Sequence, residues 1–171
     1  NPKDILSAKA LRILEFDAIK RSLAALTSFA PSEELALTMV PPTDFNQAVE
    51  LQQETTDALK LLESRPNLSI YGAKDIRKMV QAGALGGQLN GSELIQIAET
   101  LAITQYLKAG LVRMERSLPA LTPLALRLHD FQNLEAAIKK AVGKTGELLD
   151  SASRTLSAIR QEEQSAHRKL Q

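Results

Sequence analysis

An all-helical fold is what this sequence predicts, and three observations carry the prediction. Aromatic residues make up only 4% of the 171 residues and tryptophan is absent, so the usual strand formers are scarce. Leu, Ala, Glu, Gln, Lys and Arg dominate, and these favour helix. Apolar residues recur at three- and four-residue steps, and β-branched residues rarely alternate with polar ones. The expected architecture is a multi-helix bundle over residues 1–150, whose last helix begins an arm at 151–171.

The elements follow in chain order. Ile5, Leu6, Leu11, Ile13, Leu14, Phe16, Ile19, Leu23 and Leu26 form one broad stripe, predicting a long helix from about Asp4 to about Phe29. Ser32 before Glu33 and Glu34 signals a short second helix, which Pro41 and Pro42 end. Thr43 or Asp44 caps a third, carrying Phe45, Val49, Leu51, Leu59 and Leu62. Pro66 and Asn67 mark a loop from Arg65 to Gly72. A short helix is expected from near Asp75 to the glycines between Gly83 and Gly91.

Ser92 and Glu93 then start the strongest helix of the middle region, with Leu94, Ile97, Leu101, Tyr106, Leu107 and Leu111 in period until Pro119. Thr122 followed by Pro123 is another N-terminus, since proline is tolerated in a first turn. Leu124, Leu128, Leu134 and Ile138 carry that region to a break at Gly143 and Gly146. The last segment starts at Ser151 or Ser153. Its large apolar residues thin to Leu156, Ile159 and Leu170 among many charges, the pattern of one strand of a coiled coil.

Composition excludes several classes of function. No apolar run approaches the roughly 20 residues that cross a bilayer, so no membrane partner is expected. Asp4, Lys9, Arg12 and Glu15 interrupt the opening stretch, which therefore does not read as a signal peptide. The absence of cysteine removes disulfides and thiolate metal sites and suits a cytoplasmic protein. Formal net charge is +1, but acidic residues lead up to Lys60 and basic ones from Leu111 onward. A polyanion would therefore be met by the C-terminal part; the plainer reading is a solvated helix face.

Catalytic patterns are missing. No Gly-x-x-x-x-Gly-Lys-Ser/Thr loop occurs, and Gly83, Gly86 and Gly87 read as a turn between helices. His129 and His167 have neither a second histidine nor a carboxylate pair at three- or four-residue spacing, so no metal site is expected. A phosphotransfer role for His129 is set against a solvated, helix-end histidine, because Asp130, Phe131 and Gln132 follow it. Glu33/Glu34 and Glu162/Glu163 read as solvated faces, and Ser151 and Ser153 as helix caps.

Four stretches taken together resemble one family. They are Leu14-Glu15-Phe16-Asp17, then Glu54-Thr55-Thr56-Asp57-Ala58-Leu59, then Asp75-Ile76-Arg77 with Gly86-Gly87-Gln88-Leu89 and Glu93-Leu94. The last is Gly146-Glu147-Leu148-Leu149-Asp150-Ser151-Ala152-Ser153 with Leu156 and Ile159-Arg160. Their order and spacing are similar to the N-terminal region of the second bacterial MutS paralogue, a MutS-type ATPase whose full chain ends in an Smr endonuclease domain. The resemblance implies a helical core, or lever, between a coiled-coil clamp and the ATPase. It also implies a homodimeric full-length protein that holds branched DNA or collided ribosomes. ATP and Mg would belong to the ATPase of that longer chain, with no cofactor in this segment. One departure is the short second helix, bracketed by Ala30-Pro31 and Pro41-Pro42, where a longer one is expected.

If the arm touches nucleic acid, Arg154, Arg160, Arg168 and Lys169 are its available cations, binding phosphates without reading sequence. The competing reading is that they solvate the helix or pair with acidic residues. The competing function is a helical protein-interaction scaffold or dimerisation module with no nucleic-acid contact.

Overall fold

The computed structural model describes residues 8–169, all of whose regular elements are helical. In order these are α1 Ala8–Ile13, α2 Phe16–Ala25, α3 Ala30–Thr38, α4 Phe45–Ser64, α5 Arg77–Ala84, α6 Gly91–Arg113, α7 Thr122–Leu126, α8 Gln132–Ala141 and α9 Arg154–Lys169. A 3-10 turn, Asp150–Ala152, precedes α9. None of these helices is long and apolar enough to cross a membrane. The all-α expectation is met. Residues Ile5, Leu6 and Leu170, assigned above to apolar stripes, lie outside the described residues.

The chain divides into two units. The first comprises residues up to Asp75 together with Ile103–His129, and the second Ile76–Ala102 together with Asp130 onward. Helix α6 contributes its N-terminal half to the second unit and its C-terminal half to the first.

In the first unit the long opening helix is broken. Glu15 sits in the left-handed region at φ 50°, and Leu14 and Glu15 close a turn before Glu15 starts α2 by accepting from the Ala18 and Ile19 amides. Such a backbone costs about 1–2 kcal/mol for a residue with a Cβ. Apolar periodicity continues through the break and conceals it. Helix α2 also stops four residues short of Phe29, because Thr27 turns its amide and its hydroxyl onto the Ala24 carbonyl. Helix α3 starts at Ala30 rather than Ser32, with Pro31 in its first turn. Asp44 is the cap of α4, its carboxylate accepting the Gln47 amide at 2.9 Å.

The core of this unit is Leu61, Leu68, Leu111, Leu118 and Ala125, with Leu107, Met114 and Leu121 against it. Leu118 is wholly buried, which explains why α6 ends at Arg113 and not at Pro119. Tight turns at Met114–Leu118 reverse the chain and carry Leu118 inward. Helix α7 then lasts five residues, and the region expected to continue to Gly143 splits at Leu128–Asp130. Gln105 and Lys108 of α6 donate to the His129 and Leu128 carbonyls, satisfying acceptors in the loop that follows the short helix.

The second unit packs Ile97, Ala98 and Ile138 with Ile76, Met79, Leu89, Leu94 and Leu101. Helix α5 ends where Leu85 and Gly87 donate back to the Ala82 carbonyl and Gly86 takes φ +77°. The cap of α6 is Asn90, two residues before the expected start at Ser92. Asn90 Oδ1 accepts the Glu93 amide at 3.0 Å while Glu93 Oε2 accepts the Asn90 amide at 2.8 Å. This reciprocal box satisfies two donors at once.

Candidate functional site

The arm helix α9 and its root, residues 141–169 of the second unit, hold the four cations singled out from the sequence. The root is built by backbone closure. Helix α8 is followed by Val142, which is almost wholly buried and forms an isolated antiparallel bridge with Leu148. Gly143 donates to the Glu147 carbonyl at 2.8 Å, and Leu149 donates to the Ala141 carbonyl at 2.9 Å. The five residues between Val142 and Leu148 thus form a tight reversal. Gly146 provides its positive φ, +88°. Glu147 turns its carboxylate back onto the Thr145 hydroxyl and amide. That hydroxyl, foremost among the hydrogen bonds, holds the carboxyl below its ordinary pKa.

Two glycines sit at close quarters around the reversal. A Cβ on Gly91 would overlap the Gly146 carbonyl, and one on Gly143 would overlap the Glu147 carboxylate. The first turn of α6 therefore lies against the root with nothing between them but backbone.

From this root the chain turns into the arm. Ser151 Oγ donates to the Lys140 carbonyl at 2.6 Å, tying the 3-10 turn to the end of α8. Ser153 Oγ accepts the Leu156 amide at 3.0 Å, so Ser153 is the cap of α9. Arg160, about two turns further on, reaches back. Its guanidinium donates to Asp150 at 2.6 Å and to the Leu148 carbonyl at 3.0 Å. The direction in which α9 leaves the root is thus fixed by one cap and one ionic clip.

The four cations therefore occupy different settings. Arg160 is half-buried and engaged within the root. Arg154, Arg168 and Lys169 are exposed, and Arg168 makes a 3.4 Å bond to the Gln164 carbonyl of its own helix. At 3.6 residues per turn and 1.5 Å rise, these three fall within an arc of about 100° spread over about 22 Å of axis. Leu156 and Ile159 lie on the other side, with Ile159 largely exposed. Helix α9 thus carries the three exposed cations on one side and its two large described apolar residues, with Glu163 between them, on the other.

The motifs behind the family resemblance are junctions of this kind. Glu15 is the break between α1 and α2, Gly86-Gly87 closes α5, Glu93 completes the box of α6, and Asp150 clips the arm. Asp57, read above only as part of a motif, is the most consequential of them. It is fully buried in the first unit, and Oδ2 accepts the Ala120 amide at 2.9 Å. Its Oδ1 accepts from Gln53 at 3.0 Å and Lys60 at 3.2 Å. The Ala120 amide, then the Lys60 and Gln53 donors, hold its carboxyl below the ordinary range against the opposing effect of burial. Gln53 and Lys60 at four- and three-residue spacing were visible signals of a satisfied acid; the Ala120 partner, 63 residues away, was not.

No protein-family model matches the chain. Individual relatives do. It is 34% identical over 168 residues, 96% of its length, to the endonuclease MutS2 of Thermomicrobium roseum. It is 37% identical over 155 residues, 91% of its length, to that of Symbiobacterium thermophilum, and 30% identical over 95% of its length to that of Bacillus mycoides. The chain spans about a fifth of the length of these curated relatives, 21%, 19% and 21% respectively. By this match, nearly end to end, the chain belongs to the MutS2 family, as the counterpart of one segment of those longer proteins.

Proposed function

We propose that this chain is the helical core, or lever, of a MutS2 protein, residues 1–150, and that residues 151–171 begin a clamp arm that embraces nucleic acid. The observation that carries the reading is the match over more than nine-tenths of the chain to proteins named endonuclease MutS2. The root geometry supports it, because an arm whose exit angle is fixed transmits movement of its base. On this reading ATP hydrolysis and strand cleavage are supplied by other segments of a cytoplasmic, homodimeric protein, which holds branched DNA or the RNA of collided ribosomes.

The basic face of α9 supplies the chemistry of contact. Arg154, Arg168 and Lys169 neutralise phosphates without reading bases, and binding falls as counterions compete. Arg160 serves the root, so its removal alters the arm's direction as well as its charge. The test is titration of labelled branched DNA and of duplex DNA with the 171-residue chain at two salt concentrations. Salt-sensitive binding that Arg154→Ala, Arg168→Ala and Lys169→Ala together abolish supports the contact. Absence of binding at low salt, or binding indifferent to those changes, overturns it for this segment.

The exposed Ile159 on the other side of α9 favours a second reading, pairing of α9 with another helix. Sedimentation of the chain with and without Ile159→Glu tests it; a dimer dissociated by the substitution supports pairing, and a monomer in both removes it.

A further inference from the structure

Away from the arm, the first unit contains a cleft. It lies between the end of α4 with its following loop, Ser64–Leu68, and the second half of α6, and holds about 460 Å³. Its floor is apolar. Gly110 makes this floor possible, since a Cβ there would overlap the side chain of Leu68, which is buried; Met114 completes it. Its rim is basic and aromatic: Arg65 from the loop, Arg113 from the last turn of α6, and Tyr106, 60% exposed, about two turns earlier.

The charge here is unbalanced. None of the lining residues is acidic, and among the described residues neither guanidinium enters an ion pair. Two cations on one concave wall, with no carboxylate between them, create a positive potential that an anion relieves. Arginine suits phosphate or carboxylate because its donors form a planar fork. An exposed tyrosine beside an apolar floor adds a surface for a flat ring. The volume is within the range of small-ligand sites, roughly 300–1,000 Å³.

We propose that this cleft binds a small anion bearing a planar ring, of the nucleoside monophosphate kind, with its phosphate between Arg65 and Arg113 and its ring against Tyr106. The site is independent of the arm and of the nucleic-acid contact proposed for it.

The experiment is calorimetric titration of the 171-residue chain with adenosine monophosphate, with adenosine and inorganic phosphate as separate probes of the two halves. Saturable binding with Kd of about 1 mM is expected. Each half-probe should bind at least about tenfold more weakly, because each loses one set of contacts. Arg65→Gln with Arg113→Gln should weaken adenosine monophosphate about tenfold or more, and Tyr106→Leu less. Both variants change exposed side chains, and unchanged circular dichroism and thermal midpoint show that the fold is kept. Arg154→Ala, Arg168→Ala and Lys169→Ala should leave this binding untouched, which separates its fate from that of the arm. No saturation up to about 10 mM, or equal affinity in the double arginine variant, overturns the proposal.

Discussion

Asp57 in the first unit and Asp150 in the second hold their surroundings by the same chemistry in opposite settings. Each carboxylate joins residues that are distant along the chain or across a turn, and each takes a basic partner, Lys60 or Arg160. Asp57 is wholly buried and its decisive partner is a backbone amide, whereas the Asp150 side chain is 63% exposed and its partner is a guanidinium, 39% exposed. Burial makes the first a structural necessity, because an unpaired polar group in that place has no water to turn to. Exposure makes the second an orienting device, since solvent replaces most of what the ion pair supplies. The difference teaches where rigidity lies: the first unit is pinned at its core, and the arm is aimed at its surface.

The largest effect is expected where that comparison is most extreme. Asp57→Ala strands the Ala120 amide and frees Lys60 and Gln53, and should lower the unfolding midpoint by about 5–10 °C. Asp57→Asn keeps one acceptor and should lower it by less. Thermal unfolding followed by circular dichroism distinguishes them, and equal, negligible shifts would show that the Ala120 contact holds nothing. The acid branch sharpens the point. The folded-state pKa of Asp57 is depressed, so its contribution is present above the unfolded value near 4 and is lost as pH falls through the folded one. Wild type should lose stability below about pH 4 more steeply than Asp57→Asn does.

A second prediction concerns packing in the other unit. Gly91→Ala drives a methyl group into the Gly146 carbonyl, so either the first turn of α6 or the root reversal must move. A loss of about 1–3 kcal/mol is expected, as for other overpacked sites. Gly86→Ala meets open space and bears only its left-handed backbone, so it should cost less, about 1 kcal/mol. Urea midpoints of the two variants test the order; a Gly91→Ala protein as stable as wild type would show that the close approach is slack. Third, Asn90→Ala removes one half of the α6 box and should cost about 1 kcal/mol, with the loss confined to exchange protection of the first turn.

These sites also mark what the sequence made legible. Helical class and the order of the elements followed from propensity and period, and Asp44 and Ser153 were found as caps because a cap is local chemistry. The break at Glu15 was hidden because nothing in its neighbourhood is a breaker; a glutamate in a left-handed turn leaves no mark on the apolar stripe. The early end of α6 was hidden for the opposite reason. It is imposed from 63 residues away, by Asp57 catching Ala120 and by the burial of Leu118. The cations of α9 were legible as a group, but their division was not. Only the 3-10 turn Asp150–Ala152 and the Ser153 cap fold α9 so that Asp150 and the Leu148 carbonyl come within reach of Arg160.

The smallest effect on stability should come from that division. Asp150→Asn removes the charge from an exposed pair and should change stability by no more than about 0.5 kcal/mol. The arm should respond more than the fold, because the Asp150–Arg160 pair and the Arg160 bond to Leu148 are what tie the second turn of α9 to the root. Spin labels at Lys139 and Gln161, both in the second unit and both exposed, read this as a distribution of distances. Asp150→Asn should broaden it while leaving the unfolding midpoint in place, and raising salt should broaden the wild-type distribution toward that of the variant. An unchanged width would show that the Ser153 cap and the Ser151 tie aim the arm by themselves. Arg160 would then be released to serve with Arg154, Arg168 and Lys169 on phosphate.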